Sequence, residues 1–124
     1  GASKRGWTSW LTGAADKRVK AIMPLVIDTL NFQKQMPYQL KSYGAYSAQI
    51  KDYTERKLVP LPGSAEARRL WAWVDPWVYR DRLTMPKLIL NGTNDPYWTQ
   101  DALNLYWDDL KGPKWISYVP NAGH

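Results

Sequence analysis

Three side chains that could act together in acyl transfer lie in separate turn-rich stretches of this sequence. Ser3 lies in GASKRG, Asp95 in NGTNDPYW and His124 in VPNAGH. A serine hydroxyl becomes an effective nucleophile when a neighbouring imidazole accepts its proton. The imidazole in turn needs a carboxylate that fixes its tautomer and stabilises its cationic form. Because His124 is the only histidine, it is the natural general base near neutral pH.

The residues around Ser3 match the nucleophile pattern G-x-S-x-G only in part. That pattern marks a sharp turn between a strand and a helix. Gly1 fits it, but Arg5 occupies the fifth position and the second glycine follows one residue later, at Gly6. A serine before a helix is also a common N-cap. The spacing alone leaves both interpretations of Ser3 open.

Two carboxylates compete for the role of the acid. Asp95 follows the apolar stretch LILNG, and Gly92 allows a tight bend before it. Asp28 follows the apolar stretch VKAIMPLVI, and some hydrolases carry their acid one strand earlier in the chain. An Asp-Pro turn without catalytic meaning is a further interpretation of Asp95. We favour Asp95 because its strand and loop are the better defined, and we keep Asp28 as the alternative acid.

The hydrophobic patterns predict helices and strands that alternate at both ends of the chain. Strands are predicted at 19–27, where Pro24 weakens the pattern, at 87–93 and at 114–120. Helices are predicted at 4–12, at 38–57, from an N-cap at Ser64, and at 99–110 with Thr99 as its N-cap. This order favours an α/β fold with a parallel sheet. Ser3, Asp95 and His124 would then lie in loops at the carboxyl ends of strands, where the ligands of such sheets bind.

The middle of the chain lacks this alternation and carries many aromatic side chains. We therefore divide the sequence into residues 1–27 and 87–124, which form the sheet core, and residues 28–86, a helical cap-like insertion. The candidates from the insertion for lining an acyl pocket are Trp71, Trp73, Trp77 and Tyr79. Simple packing of the insertion onto the sheet explains the same residues equally well.

Composition excludes several other classes of function. The chain has no cysteine, so disulfides, thiolate metal sites and cysteine nucleophiles are ruled out. One histidine and scattered carboxylates do not make a metal site, and we expect no cofactor. The net charge of +6 is dispersed and accompanies no nucleic-acid-binding motif. No apolar run reaches the roughly 20 residues of a membrane-spanning helix.

Longer blocks of the sequence resemble the PhoPQ-activated pathogenicity-related protein family. They are GASKRGW, AADKRVKAIMPLVIDTLNF, SYGAYS, DPWVYRDRLTMPKLILNGTNDPYW and VPNAGH, and the resemblance extends over essentially all of the chain. It implies an α/β-hydrolase fold and a triad of Ser3, Asp95 and His124. The pattern G-x-S-[KR]-x-G is also similar to that of glucuronoyl esterases, which reconciles Arg5 and Gly6 with a nucleophile turn. The backbone N–H of Lys4 would then be one oxyanion donor.

The resemblance also sets two hypotheses of function side by side. The first is a serine hydrolase that acts on an ester or other acyl substrate, secreted or periplasmic and linked to bacterial virulence regulation. The second is a secreted signalling or binding protein that keeps the fold without catalysis, since the family also includes a repressor of cell proliferation. The strand before Ser3 and the second oxyanion donor are expected upstream of Gly1. We therefore expect the 124-residue chain to be a fragment that is inactive by itself.

Overall fold

A computed structural model describes residues 1–124. Its α-helices are α1 (Lys4–Ala15), α2 (Phe32–Tyr43), α3 (Lys51–Glu55) and α4 (Ala65–Val74). Its strands are β1 (Lys87–Gly92) and β2 (Lys114–Val119). Short 3-10 helices occur at Ala48–Ile50, Pro76–Arg82, Ala102–Leu105 and Trp107–Asp109. None of the helices combines the length and the apolar character needed to cross a membrane.

The two strands confirm the predicted parallel pairing. β1 and β2 run side by side from Lys87 opposite Lys114 to Gly92 opposite Val119. The remaining predicted strand, at 19–27, is reduced to parallel bridges of Ile22 and Leu25 with β1. Pro24 has no N–H to donate, and Val26 has a φ of 47°, so regular pairing cannot continue through this segment. On its other side Leu25 forms a parallel bridge with Ala2, which brings the residues before α1 to the sheet.

The two helices predicted within residues 28–86 agree with the structure to different degrees. Ser64 caps α4 as predicted, since its hydroxyl accepts the Ala67 N–H at 3.1 Å. The helix predicted at 38–57 is confirmed only in part, because α2 starts earlier and ends at Tyr43, and α3 resumes at Lys51 after a break. Gly44 follows it with a left-handed φ of 73°, which closes the helix. The chain then turns, and the Ser47 hydroxyl accepts the Gln49 N–H to start a separate 3-10 turn.

The predicted helix at 99–110 is wrong. Two 3-10 turns replace it, and Thr99 caps neither of them. Tyr106, which separates the turns, has an extended φ of −149° and a side chain that is only 1% exposed. Its hydroxyl donates a hydrogen bond to the buried carboxylate of Asp28. This tertiary contact overrides the local helical periodicity.

The core lies between the sheet and the helices, and α1 packs closely on the segment before Asp28. Trp10, Leu30, Leu83 and Ile89 are at most 1% exposed, and burial of each stabilises the fold by about 1.5–3 kcal/mol. At Gly6 an added Cβ would lie 2.6 Å from Cγ2 of Ile27. Only glycine therefore allows the first turn of α1 to approach the sheet this closely, and that approach sets the position of Ser3.

Candidate active site

The structure brings Ser3, His124 and Asp95 together in one chain of hydrogen bonds. Nε2 of His124 lies 2.7 Å from Oγ of Ser3, and Nδ1 of His124 lies 2.9 Å from Oδ2 of Asp95. Because an ionised carboxylate can only accept, Nδ1 carries the proton in a neutral imidazole. Nε2 is then free to accept the proton of the Ser3 hydroxyl, as a general base must.

Ser3 occupies an unusual backbone conformation directly before α1. Its φ of 51° and ψ of −127° lie where non-glycine residues rarely occur. It stands at the N-cap position, but its side chain makes no capping hydrogen bond. The interpretation of Ser3 as an ordinary N-cap is therefore wrong, and its hydroxyl points to His124 instead.

The loops that carry Asp95 and His124 are tied to each other by hydrogen bonds. The N–H of Asn94 donates to the Ala122 carbonyl at 2.9 Å, and the N–H of Asn121 donates to the Thr93 hydroxyl at 2.9 Å. An added Cβ at Gly92 would overlap the carbonyl oxygen of Ala122. The close contact of the two loops thus depends on a glycine at the end of β1.

Tyr97 contacts both partners of the Asp95–His124 pair. Its backbone N–H donates to Oδ1 of Asp95 at 2.8 Å, which leaves Oδ2 for the imidazole. Its ring stacks on the ring of His124 with centroids 3.9 Å apart and an interplanar angle of 30°. The side chains of Asp95 and His124 are 7% and 20% exposed, so the pair is largely shielded from water.

Asp28, the alternative acid, does not reach His124. It is 3% exposed and accepts hydrogen bonds from the hydroxyl of Tyr106 and from Nδ2 of Asn91 at 2.9 Å. Burial raises the pKa of Asp28 to about 7, and the nearby charge of Asp95 acts in the same direction. The structure therefore pairs His124 with Asp95 and leaves Asp28 buried against Tyr106 and Asn91.

The backbone N–H of Lys4 is available to a ligand. Lys4 is the first residue of α1, so its N–H has no acceptor within the helix. It also makes no backbone hydrogen bond outside the helix. Helix N-termini favour negative charge, and this one starts directly after Ser3.

A cavity of about 90 Å³ opens beside Ser3 and His124. Its apolar lining consists of Trp7, Ile27, Phe32, Ile50, Tyr53, Tyr97 and Trp98, and its polar lining adds Lys4, Gln49 and Asp52. No group of three or more His, Asp or Glu side chains in the structure is arranged to hold a metal ion.

The four aromatic residues predicted to line the pocket lie elsewhere. Trp71 stacks behind Phe32 with centroids 4.2 Å apart, and Trp73 is 62% exposed. Nε1 of Trp77 donates to Asp109 at 2.8 Å, and the Tyr79 hydroxyl donates to the Ala72 carbonyl at 3.0 Å. None of the four is among the residues that line the cavity beside Ser3, in contrast to the prediction.

Some of the residues that line the cavity could have been predicted from their positions in the sequence. Trp7 is four residues after Ser3 and thus lies on the same face of α1. Tyr97 and Trp98 directly follow the loop of Asp95. Phe32 and Ile50 had no such signal, because only the folding of the middle segment brings them to this point.

Comparisons of the sequence with known proteins identify its family. The model of the PhoPQ-activated pathogenicity-related protein family matches residues 1–124. Autocrine proliferation repressor protein A of Dictyostelium discoideum is 39% identical over 126 residues, which cover 100% of this chain and 26% of that protein. The chain thus spans about a quarter of the length of this curated relative.

Solved structures of similar fold include esterases, peptidases and a lipase. An acetyl xylan esterase from Paenibacillus sp. R4 superposes with a TM-score of 0.70 and 18% identity, over 100% of this chain and 38% of the esterase. An acylaminoacyl peptidase of Pyrococcus horikoshii gives 0.67 and 16%, over 100% of this chain and 19% of the peptidase. A monoacylglycerol lipase of Paleococcus ferrophilus gives 0.57 and 15%, over 100% and 58%.

These likenesses show a partial α/β-hydrolase fold, with helices and a two-stranded parallel sheet. The sequence match extends from the first residue to the last. The chain belongs to the PhoPQ-activated pathogenicity-related protein family.

Proposed function

We propose that this chain carries the triad of a serine hydrolase that cleaves an ester, amide or similar acyl bond. The observation that carries the proposal is the continuous hydrogen-bond chain from Ser3 Oγ through His124 to Asp95, with distances of 2.7 and 2.9 Å. The strained backbone at Ser3 supports it, since such strain is typical of functional sites.

In this mechanism Ser3 Oγ attacks the acyl carbon while Nε2 of His124 takes the hydroxyl proton. Asp95 holds the imidazole in the correct tautomer and stabilises the imidazolium that forms. The oxyanion of the tetrahedral intermediate accepts the N–H of Lys4, at the positive end of α1. His124 then gives its proton to the leaving group, and an acyl-Ser3 ester remains. Water, activated by the same imidazole, hydrolyses this ester and restores Ser3.

Residues 28–86 act in this proposal as a cap over the nucleophile. The segment supplies Phe32, Gln49, Ile50, Asp52 and Tyr53 to the cavity beside Ser3. It thereby excludes water from part of the acyl site, which strengthens the electrostatic interactions there.

Labelling by a fluorophosphonate probe tests the nucleophile in the full-length protein. We expect covalent labelling of the wild type and none of Ser3→Ala. Ser9→Ala is the matched control. Ser9 lies on α1, the helix that follows Ser3, and its hydroxyl bonds only to the Arg5 carbonyl at 2.9 Å. An unlabelled wild type, or a Ser3→Ala variant that still labels, would contradict the proposal.

A second candidate is a signalling protein that needs the fold but not the chemistry. The name of the 39% identical relative, an autocrine proliferation repressor, favours it. In that case Ser3→Ala retains the full effect on cell proliferation although it no longer reacts with the probe. Loss of both properties together would favour the hydrolase.

A further inference from the structure

We propose that the cavity beside Ser3 is an acyl pocket that selects short, uncharged acyl groups of about four carbons or fewer. This inference rests on the proposed function, because it names the substrate class of the same site. It is carried by the position, the closed floor and the volume of the cavity.

The position of the cavity relative to the reacting atoms makes it a substrate site. Ser3, Lys4 and His124 form one side of it, so a group bound there lies next to the nucleophile and the oxyanion donor. A leaving group must depart toward solvent after His124 protonates it. The apolar cavity is therefore the place for the acyl substituent.

The floor of the cavity is closed by buried apolar side chains. Ile27, Phe32, Ile50 and Trp98 are between 2% and 7% exposed. The polar residues Lys4, Gln49 and Asp52 are exposed and lie at the rim. A charged acyl group would lose its hydration against this floor, which carries no charged side chain, and that loss is strongly unfavourable.

The floor is also held rigidly, so it cannot easily open for a longer chain. The ring of Phe32 is stacked between Trp7, at 6.2 Å, and Trp71, at 4.2 Å. The buried carboxylate of Asp75 accepts the N–H of Phe32 at 2.8 Å and that of Asn31 at 3.2 Å. Displacing Phe32 would break the stacking and these hydrogen bonds together.

The volume sets the upper limit on chain length. A cavity of roughly 150 Å³ accommodates benzene, with six carbons. At the same density, the volume of about 90 Å³ beside Ser3 holds about four carbons. A chain that exceeds the space available costs on the order of tenfold or more in kcat/KM, because it must displace packed side chains.

A series of p-nitrophenyl esters tests the limit in the full-length protein. We expect similar kcat/KM for acetate and butyrate and a loss of at least about tenfold for octanoate. Ile50→Ala removes part of the floor and should raise the octanoate-to-acetate ratio by about tenfold. Ile22→Ala is the matched control, because it also truncates a buried isoleucine, 8% exposed, that does not line the cavity.

The outcomes separate the inference from the function on which it rests. Equal turnover of octanoate and acetate, or an unchanged ratio in Ile50→Ala, would overturn the short-acyl inference even if the fluorophosphonate labels Ser3. A length limit on the alcohol side of acetate esters, without one on the acyl side, would overturn it as well. Absence of both labelling and ester turnover would instead refute the proposed hydrolase.

Discussion

Asp28 and Asp95 follow neighbouring segments of one sheet, yet the structure gives them different surroundings. Asp95 bonds to the imidazole of His124 through Oδ2. Asp28 is enclosed by Tyr106 and Asn91 and has a pKa of about 7 because of its burial. The same residue type at equivalent strand ends thus becomes either a partner of the base or a buried polar group, depending on which loop packs on it.

The largest difference between the two carboxylates is expected in catalysis. Asp95→Asn should lower kcat/KM by about 10⁴-fold, because the amide favours the wrong imidazole tautomer. Asp28→Asn should lower it by less than about tenfold, since Asp28 has no contact with His124. Steady-state kinetics on both variants measure the contrast. Comparable losses would show that the two acids share the role.

The contact between the acid and base loops is expected to matter next. In Gly92→Ala the new methyl overlaps the Ala122 carbonyl and forces the loops apart. A displacement of about 1 Å costs on the order of 10²-fold in kcat/KM. Gly63→Ala is the matched control, because an added Cβ there meets no atom within 4 Å. Retention of full activity in Gly92→Ala would disprove the role of this contact.

Loss of the Tyr97 ring, which stacks on His124 beside Asp95, should lower activity by a smaller factor. Tyr97→Leu removes the stacking on His124 and should lower kcat by about tenfold, since the aromatic face no longer stabilises the imidazolium. Tyr97→Phe keeps the stacked ring and should retain most of the activity. Equal losses in both variants would assign the effect to the hydroxyl instead.

The buried carboxylate is expected to affect stability and not turnover. The pKa of Asp28 is raised from about 3.8 to about 7, so the folded protein keeps a proton that the unfolded chain loses. The contribution of Asp28 to the free energy of unfolding therefore falls as pH rises from about 4 to about 7, and it is constant above that range.

Asp28→Asn provides the comparison for this pH dependence. Its neutral amide removes the titration, so the difference in Tm from the wild type should shift by a few degrees between pH 4 and pH 7. The Oδ1 atom of Asn91 has no partner in the wild type, so the amide of Asn91 can turn over to accept from the new side chain. Parallel Tm curves for the two proteins would contradict the raised pKa.

The sequence predictions were accurate where local interactions determine the structure, and they failed where contacts between distant residues determine it. β1 and β2 were predicted to within one residue, because short apolar runs bounded by Asn-Gly or Gly-Pro carry their own signals. The predicted helix at 99–110 failed because the hydroxyl of Tyr106 reaches Asp28, a contact across 78 residues of sequence. Local periodicity carries no information on such a contact.

The parts of the candidate site also differ in how far the sequence predicted them. Residue types, their order and the ends of the strands were enough to single out Ser3, Asp95 and His124, because parallel strands bring their carboxyl ends to one edge. The cavity could not be predicted, since Phe32 and Ile50 reach Ser3 only through the packing of the middle segment. The aromatic composition suggested Trp73 and Trp77 instead, and both lie outside the cavity.

By itself, then, the sequence determined the family, the parallel sheet and which side chains could perform acyl transfer. Tertiary structure alone decided how the backbone at Ser3 is strained and which side chains close the floor of the cavity. The physical reason is that residue type and short-range periodicity determine what a segment can form. Burial, loop contacts and side-chain packing between distant segments determine which of those possibilities is used.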